Sequence, residues 1–439
     1  MTYTFASRIL GAGALATCVV ATLGAQPANR GTTEAPADAR VRAIMAEAPV
    51  IDGHNDLPWE MREKVRYDFE ARDIARPQPV MMTDIPRLRQ GRVGGQFWSV
   101  YVPADLQGDA AVSATLEQVD AVYEMVRRYP ETFVVARTAD EMERAMRDGR
   151  IGSIMGVEGG HSIDSSMGAL RMFHRLGVGY MTLTHSRNVP WADAATDQPT
   201  LTGLSAFGEE IVREMNRLGM LVDLSHVSAD TMADAIRVSQ APVIFSHSNA
   251  RAVCDVPRNV PDDILRQLPA NGGIVMVTFV PGFVSPEVAA YTRRATTEIA
   301  RIRAQHSADA AAQTKATAAW TAANPAPRAT LSQVADHIDH IRKVAGIDHI
   351  GLGGDFDGIT SVVQGLEDVS TYPALVAELL RRGYADDDVK KITSGNILRV
   401  MRQAETVASR LQKTVKPSIK TIDVSDGLTR KGAPVAKAR

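Results

Sequence analysis

Eight short apolar runs, rich in Val, Ile, Leu and Met, recur along the chain, and amphipathic segments with helical spacing separate them. Continuous apolar runs are typical of parallel strands buried on both faces, and a crossover between parallel strands needs a helix. The pattern predicts an α/β fold, a (β/α)8 barrel of the TIM type. The runs are PVIDGHND, GGQFWSVYVP, GSIMGVEGGH, GYMTLTH, GMLVDLSH, APVIFSHSNAR, GGIVMVTFVP and HIGLGGDFDG.

Two segments depart from a regular alternation. Residues 285–330 are Ala-rich, carry charges at helical spacing and are too long for an ordinary connection, so we expect a helical insertion between the seventh and eighth strands. Extra helices are predicted after the eighth strand, up to residue 412. From there the pattern indicates a loosely ordered C-terminal tail, residues 413–439.

The N-terminal residues have the pattern of a secretory leader. Arg8 precedes an apolar stretch, residues 9–23, and small residues follow, which predicts a signal peptide over residues 1–25 cleaved near Ala25. The stretch is shorter than the ~20 residues that span a bilayer. An uncleaved anchor and a lipidated Cys18 remain the alternatives. We expect an exported protein, periplasmic or secreted, with no stable membrane anchor after cleavage.

A polar stretch rich in Pro, Gly and Ala follows the leader and predicts a flexible linker over residues 26–40. The folded domain is expected over residues 41–412. Only Cys254 lies beyond the leader, so the mature chain can form no internal disulfide.

Composition and charge indicate a globular protein that does not bind nucleic acid. The chain has 439 residues, of which 45% are hydrophobic, and this supports a full core. Its formal charge is -2, and no basic stripe stands out along it. Nucleic acid is therefore not expected as a partner.

Polar side chains end seven of the eight apolar runs. In a barrel of this type the C-terminal ends of the strands form the catalytic face, and catalytic groups come from several strands. The pattern therefore predicts one active site built from these residues. They are His54, Asp56, Gln96, Glu158, His185, His226, His247, Asp355 and Asp357.

The spacing of His54 and Asp56 suits a metal. Side chains alternate along a strand, so these two point to the same side and Asn55 points away. Glu158, His226 and His247 close other strands, and imidazole with carboxylate suits zinc. Taken singly, the Asp could cap a helix and each His could be a hydrogen-bonded core residue. Convergence at several strand ends favours a metal site.

The six other histidines are assigned no role. His337 and His340 lie three apart on a predicted helix and could bind a metal, but we expect a solvated helix face. The others are His161, His174, His306 and His349.

Several stretches together resemble the renal or membrane dipeptidase family, which are zinc peptidases with an amidohydrolase-like barrel. They occur in order between residues 50 and 405, so the resemblance covers almost the whole predicted domain. The stretches are DGHNDLP, GRVGGQFWSVYVP, GVEGGHSI, LTHSRNVPWAD, LVDLSHVS, FSHSNARAVCDVPRNVPDD, GLGGDFDG and GLEDVSTYPALVAELLRRGY.

The resemblance implies a binuclear Zn²⁺ site, bridged by Glu158 and a hydroxide. His54 and Asp56 would hold one ion, and His226 and His247 the other. Three further residues would act on the substrate. His185 would approach the scissile carbonyl, Arg258 would bind the free carboxylate, and Asp355 would transfer the proton and bind the amino group, with Asp357 as the alternative for that role.

The function expected from this resemblance is hydrolysis of unblocked dipeptides, including dipeptides with a C-terminal D-residue. A metal-dependent amidohydrolase acting on N-acyl amino acids or lactones is the alternative within the same barrel. A non-catalytic binding protein is the third hypothesis, although every expected ligand position is filled. The resemblance also implies a homodimer. Relative to the mammalian members, the insertion at 285–330 is extra and no hydrophobic C-terminal tail is present.

Overall fold

Nine strands, each parallel to its neighbours, form one sheet in the computed structural model, which describes residues 36–435. The strands are β1 (Val50–Asn55), β2 (Val93–Ser99), β3 (Phe133–Val135), β4 (Ile151–Glu158), β5 (Val178–Thr182), β6 (Leu221–Asp223), β7 (Ile244–Phe245), β8 (Ile274–Val277) and β9 (Ile350–Leu352).

The sheet closes on itself. β1 pairs with both β2 and β9, β2 pairs with β4, and the order then runs from β4 through β8 to β9. The closed barrel has eight strands because β3 pairs only with β4, where Phe133 lies opposite Ile151. The predicted barrel is confirmed. The sequence does not predict β3, because an apolar run of three residues is too short to indicate a strand.

Helices alternate with the strands, and many begin where the sequence supplies a capping side chain. Ser205, Ser228 and Thr330 each accept a backbone N–H of the first helical turn. The helices are α1 (Pro36–Glu47), α2 (Leu57–Val65), α3 (Ile85–Gln90), α4 (Asp109–Arg128), α5 (Ala139–Arg147), α6 (Met167–Arg175), α7 (Ala206–Leu218), α8 (Ala229–Val238), α9 (Asp262–Leu265), α10 (Leu268–Asn271), α11 (Pro281–Val284), α12 (Pro286–Gln305), α13 (Ala310–Ala323), α14 (Leu331–Val344), α15 (Tyr372–Arg381), α16 (Asp386–Lys390), α17 (Asn396–Thr414) and α18 (Ile422–Asp426).

Apolar side chains from the barrel strands form one buried cluster, which also takes in residues of α5 and α17. A barrel of this kind is a packed core and not a pore. The strand residues of the cluster include Ile51, Phe97, Ile154, Tyr180, Leu221, Ile244, Ile274 and Met276.

The predicted helical insertion is present between β8 and β9, the seventh and eighth strands of the barrel. It consists of α12 and α13, and the rings of Tyr291 and Trp320 pack between the two helices at 5.9 Å. No residue of α13 is buried in the described part of the chain. The regular crossover is made by α14, which contacts both β8 and β9.

The N-terminal predictions fall mostly outside the described residues. The predicted signal peptide, residues 1–25, lies wholly there, as does the first part of the predicted linker. For residues 36–40 the linker prediction is wrong, since they form the start of α1. Among residues 36–435, no helix combines the length and apolar character needed to cross a membrane.

The prediction of a loosely ordered tail is wrong for residues 413–435. The chain continues into α18, where Ile422 is buried. The Asp426 carboxylate accepts hydrogen bonds from Ser205 Oγ at 2.6 Å and from Phe207 N at 3.0 Å, at the start of α7. A single buried apolar residue and a distant capping carboxylate are features that local sequence patterns do not reveal.

Candidate metal centre and substrate cavity

Five of the polar residues predicted at strand ends meet at the C-terminal mouth of the barrel; four are almost fully buried, and the His226 side chain is 12% exposed. The alternation predicted for β1 is observed, since His54 Nε2 lies 3.2 Å from Asp56 Oδ2. Asn55 points away and donates to Thr83 Oγ1. The five residues are His54, Asp56, Glu158, His226 and His247.

The two carboxylate oxygens of Glu158 face different partners. Oε2 lies 3.5 Å from His54 Nε2, which itself contacts Asp56. Oε1 lies 3.0 Å from His226 Nε2 and 3.4 Å from His247 Nε2. Glu158 therefore stands between one ligand set from β1 and another from the ends of β6 and β7.

The donor set fits metal ions. The Nε2 atoms of His226 and His247 lie only 2.9 Å apart, so they need either a shared proton or a cation between them. Imidazole nitrogens and carboxylate oxygens are ligands typical of zinc. Within residues 36–435, three groups have ligand atoms within 4.8 Å of one another: His54, Glu158 and His247; Glu158, His185 and His226; and His54, Asp56 and Asp355.

Backbone conformations that side chains rarely adopt place several of these residues. His226, Asp355 and Asp357 have φ angles of 68°, 64° and 65°, in the left-handed region. Such strain persists only where the surrounding structure fixes it, and it concentrates at functional sites. Gly159, with φ of 116°, follows Glu158 directly, and a Cβ there would lie 2.5 Å from the His161 ring. The glycine after the carboxylate is thus required by close packing.

Burial and charge set the protonation of the centre. Burial lowers the pKa of His226 and of His247 well below the usual value. Burial also disfavours the charged form of His54, but Glu158 and Asp56 raise its pKa well above the usual value. Burial alone would raise the pKa of Glu158, yet His54 and His226 hold it well below normal. The two neutral imidazoles can bind a metal directly, whereas His54 must release a proton.

Hydrogen bonds behind His247 fix its orientation. Ser246 Oγ donates to Asp223 Oδ2 at 2.7 Å, and the same hydroxyl lies 2.8 Å from His247 Nδ1. Because the hydroxyl proton is used on Asp223, His247 Nδ1 must donate, which leaves Nε2 with its lone pair free. Thr182 Oγ1 also donates to Asp223. The sequence reasoning missed this support, although Asp223 lies in the same run, LVDLSH, as His226.

Asp52 supports the other side of the centre and was also missed. It is fully buried and accepts hydrogen bonds from Tyr372 Oη at 2.6 Å and Gly354 N at 2.8 Å, as well as from His54 N. The alternation that relates His54 to Asp56 applies equally to Asp52, so the signal was available. Ser99 Oγ, at the end of β2, donates to Glu158 Oε2 at 2.9 Å.

A cavity of about 520 Å³ opens above the centre. Aromatic rings form one wall, where Trp59 packs edge-on against Tyr101 at 4.9 Å and Tyr101 packs against His185 at 4.9 Å. The size and the mixture of apolar wall and convergent polar groups suit a small ligand. Charged residues lining it include Asp56, Glu60, Glu63, Lys64, Glu158, Arg258, Asp355 and Asp357.

His185 and Arg258 both line this cavity. His185 Nε2 lies 3.7 Å from Glu158 Oε1, and its ring stacks at 4.3 Å on that of His226. Arg258 is only 4% exposed and lies over the Phe283 ring at 5.1 Å. Its Nη1 has no hydrogen-bond partner in the described structure, and burial lowers the pKa of Arg258 to about 10. Its Nη2 makes only a long hydrogen bond to His247 O, at 3.5 Å. A buried guanidinium without a carboxylate bound to it calls for an anionic partner.

Asp355 and Asp357 lie on one turn after β9, and both line the cavity. The turn passes close to the centre, since a Cβ on Gly358 would lie 2.2 Å from Asp56 Oδ2 and 2.4 Å from Asp355 Oδ1. Burial raises the pKa of Asp355 well above the usual value and raises that of Asp357 to about 7.

The remaining polar positions do not join the centre. Gln96 donates to Asp52 O at 3.3 Å and supports the barrel interior. His337 is fully buried, so its expected place on a solvated helix face is wrong, and both of its ring nitrogens bind backbone groups. His340 is partly exposed and pairs with Asp262. His161 binds the backbone oxygen of Val102.

Comparison with known proteins identifies the family of this chain. The model of the membrane dipeptidase family, peptidase family M19, matches residues 38–415. Dipeptidase 3 of Mus musculus is 43% identical over 376 residues, which are 84% of this chain and 67% of that protein. Dipeptidase verJ of Clonostachys rogersoniana is 40% identical over 382 residues, covering 84% of this chain and 88% of the relative.

Solved structures show the same fold. The probable dipeptidase PvdM from Pseudomonas aeruginosa superposes with a TM-score of 0.72 at 22% identity, over 85% of this chain and 99% of that one. A metallopeptidase from Rhodobacter sphaeroides, bound to a phosphinate mimic of the dipeptide L-Ala-D-Ala, has a TM-score of 0.66 at 26% identity, over 81% of this chain and 99% of that one. The chain belongs to the membrane dipeptidase family, peptidase family M19, and is a metallopeptidase that hydrolyses peptide bonds.

Proposed function

We propose that this protein is a binuclear zinc dipeptidase that hydrolyses unblocked dipeptides. The observation that carries the proposal is the position of Glu158, whose two carboxylate oxygens face separate ligand sets. His54 and Asp56 would hold one zinc ion and His226 and His247 the other, with Glu158 between them. When bound, two such ions supply Lewis acidity and lower the pKa of a shared water toward 7.

The residues around the cavity would orient the substrate. Arg258 is buried beside the cavity with its Nη1 unpaired, and a planar guanidinium matches a carboxylate through parallel hydrogen bonds. This contact would select a free C-terminus one residue beyond the scissile bond. His185, beside Glu158 and packed against Tyr101, would donate a hydrogen bond to the scissile carbonyl oxygen as negative charge develops there.

Asp355 is the proposed acid and base. It belongs to the group of ligand-type atoms formed with His54 and Asp56, and its backbone N–H donates to His54 O at 3.1 Å. In peptide hydrolysis a proton must leave the attacking water and reach the departing nitrogen. An Asp355 carboxylate oxygen would accept this proton and pass it to the peptide nitrogen as the C–N bond breaks.

The test is release of free amino acids from L-Ala-L-Ala and L-Ala-D-Ala by protein purified with zinc, assayed with and without a chelator. The second substrate is included because the Rhodobacter sphaeroides relative was solved with a mimic of that dipeptide. We expect cleavage that the chelator abolishes. Absence of cleavage by protein carrying about two zinc ions per chain, the number a binuclear site needs, would reject the proposal.

A blocked substrate separates this function from the alternative amidohydrolase. N-acetylation of the dipeptide should strongly reduce hydrolysis, whereas an enzyme for N-acyl amino acids or lactones should prefer blocked compounds. The variant Arg258→Gln provides the second arm, since it should raise KM for free dipeptides and leave zinc content unchanged. Asp140→Asn, an exposed carboxylate on α5, is the matched control that should alter neither.

We also propose that the protein is exported to the periplasm or secreted. The support is the basic, apolar and small-residue pattern of residues 1–25. Sequencing the N-terminus of the protein recovered from its host should give a start near residue 26. A mature chain that retains Met1 and stays with the cytosolic fraction would reject export.

A further inference from the structure

The chain beyond residue 415 lies outside the part matched by the family model, yet it contacts loops on the catalytic face of the barrel. After α18, residues 427–435 fold into a tight hairpin, which we call the C-terminal hairpin. Val435 N donates to Gly427 O at 2.8 Å, and Thr429 N donates to Ala433 O at 2.6 Å. The hairpin is therefore held by its own backbone hydrogen bonds.

One side of the C-terminal hairpin contacts the loop that follows Glu158, residues 159–166. Arg430 Nη1 lies 3.3 Å from Asp164 Oδ2, and Ser165 Oγ donates to Arg430 O at 3.3 Å. Asp164 and Ser165 have φ angles of 46° and 50°, in the left-handed region that side chains rarely adopt. Such a conformation persists only where neighbouring structure holds it, and the hairpin supplies two of the contacts that do so.

The C-terminal chain also contacts the loop between β5 and α7. Gly432 lies against Pro190 of this loop, since a Cβ on the glycine would be 3.5 Å from the proline ring. The Asp426 carboxylate, directly before the hairpin, accepts a hydrogen bond from Ser205 Oγ at 2.6 Å, where the loop ends and α7 begins. The loop is thus held at two separate places.

These two loops contact each other and the metal centre. A Cβ on Gly160 would lie 2.5 Å from the Trp191 ring, so the loop after β4 packs closely against the loop after β5. Ala195 N, in the loop after β5, donates to His226 O at 2.7 Å. A shift of either loop would therefore move the backbone next to Glu158 or next to His226.

We propose that the C-terminal hairpin positions the loops that adjoin Glu158 and carry His185, and that full turnover depends on it. None of its described residues lines the cavity, so Arg430 is a positioning residue that acts through the loops. Reacting groups must be held closely, since a displacement of about 1 Å can lower the rate by about 100-fold. The kinetic part of this inference rests on the proposed dipeptidase function.

The experiment compares the full-length protein with a chain ending at Gly427 and a chain ending at Val435. The first truncation removes the hairpin but keeps Asp426 and the buried Ile422, so the rest of the fold is retained. The second keeps every described residue and is the matched control. On L-Ala-L-Ala, kcat of the chain ending at Gly427 should fall by about 10-fold or more, with a smaller change in KM. Zinc content and melting temperature should stay close to those of the full-length protein.

Hydrogen exchange measures the positioning itself, without turnover. In the chain ending at Gly427, backbone amides of the loops after β4 and β5 should exchange faster than in the full-length protein. Amides of β8 and β9, across the barrel from these loops, should exchange at the same rate in both. Unchanged kcat, or unchanged exchange in both loops, would overturn the proposal.

A point variant tests the ion pair alone. Arg430→Ala should lower kcat by about 2- to 5-fold, because a partly exposed pair contributes little, and Arg430→Lys should restore most of the loss by keeping a cation beside Asp164. A loss that Arg430→Lys does not restore would contradict the role of this pair.

Two further outcomes would also overturn the role of the hairpin. Loss of zinc together with a much lower melting temperature in the chain ending at Gly427 would show that the hairpin only stabilises the fold. An equal loss of kcat in the chain ending at Val435 would assign the effect to residues 436–439. Failure of the full-length protein to cleave L-Ala-L-Ala would instead reject the dipeptidase function, and hydrogen exchange would still test the positioning.

Discussion

Two regions of this molecule enclose histidine rings and use them differently. At the mouth of the barrel, His226 and His247 turn their Nε2 atoms toward Glu158, and His226 Nδ1 has no hydrogen-bond partner in the described chain. On α14, His337 accepts from Ala250 N at 3.2 Å and lies 3.0 Å from Val284 O. Burial alone therefore does not identify a ligand. The difference lies in whether the protein itself satisfies the ring nitrogens.

The hydrogen bonding of the two kinds of ring differs because one kind binds a metal and the other stabilises the fold. A metal-binding imidazole must keep one lone pair free for the metal, and in His247 the other ring nitrogen is held by Ser246 Oγ. A structural imidazole instead uses both nitrogens on backbone groups that would otherwise be buried unpaired. His337 ties the chain after β7 to α11 in this way. Substitutions at the two kinds of histidine should therefore have different effects on zinc binding and on stability.

Replacing a ring at the mouth should abolish function, whereas replacing the ring on α14 should not. For His247→Asn we expect bound zinc to fall and kcat/KM on L-Ala-L-Ala to drop by roughly 10³-fold or more, since the metals supply several kcal/mol of transition-state stabilisation. For His337→Gln, whose amide can replace both backbone contacts, we expect full zinc content and near-normal kcat. Zinc content and steady-state kinetics are measured for both variants. Equal losses of zinc and activity in the two would contradict the proposed difference between metal-binding and structural histidines.

Removing the hydrogen bond between Ser246 and His247 should reduce zinc binding less than removing the His247 ring, but by a measurable amount. Ser246→Ala removes the acceptor of the Nδ1 proton, so zinc affinity should fall by about 10- to 100-fold, the usual effect of such outer contacts. Competition with a fluorescent zinc chelator measures it. Ser246→Thr keeps the hydroxyl and should restore most of the affinity. Unchanged affinity in Ser246→Ala would show that Asp223 and Ser246 do not orient the ligand.

His337 should make stability depend on pH. Burial lowers its pKa to about 4, below the value of about 6.5 expected in the unfolded chain. The unfolded chain then binds more protons between these values, so the contribution of His337 is fully present above pH 6.5 and declines as the pH falls toward 4. Between pH 7 and pH 5 the wild type should lose about 2 kcal/mol more stability than His337→Gln.

Urea unfolding of the two proteins at both pH values measures this difference. Comparison with the variant removes the contribution of other titrating groups, such as His161, which has a similarly lowered pKa of about 4. A parallel loss of stability in wild type and variant would mean that His337 accepts a proton without cost and that its two backbone contacts are not fixed.

The smallest effect is expected at a partly exposed ring. His340 pairs with Asp262 through Nε2 and Oδ1 at 2.7 Å, and both side chains are partly solvated. Such pairs contribute about 0–1 kcal/mol, so His340→Gln should change the unfolding free energy by no more than that, and activity should not change. A loss of several kcal/mol in the same urea experiment would place His340 with the buried structural histidines.

The main features of the fold and the metal centre were predictable because each repeats a simple pattern. Continuous apolar runs separated by helices predict the barrel, and polar residues at successive strand ends predict where His54, Glu158, His226 and His247 meet. These features depend on local spacing and on one rule about parallel strands.

Features that depend on a distant partner could not be predicted. His337 lies on a helix whose spacing fits a solvated face, and only the loops at Ala250 and Val284 explain its burial. The sequence of the C-terminal residues predicts a loosely ordered tail, yet Asp426 accepts hydrogen bonds at the start of α7. The hydrogen bond from Met82 N to Asp357 Oδ1 likewise joins two loops far apart in sequence. Tertiary contacts of this kind leave no periodic signal.

The most direct test of the central claim is a zinc titration of the metal-free protein, with bound zinc and hydrolysis of L-Ala-L-Ala measured on the same samples. If the ligand sets on either side of Glu158 each hold an ion, activity should reach its plateau at about two zinc ions per chain. Full activity at one ion per chain, or hydrolysis that persists without zinc, would contradict the binuclear site.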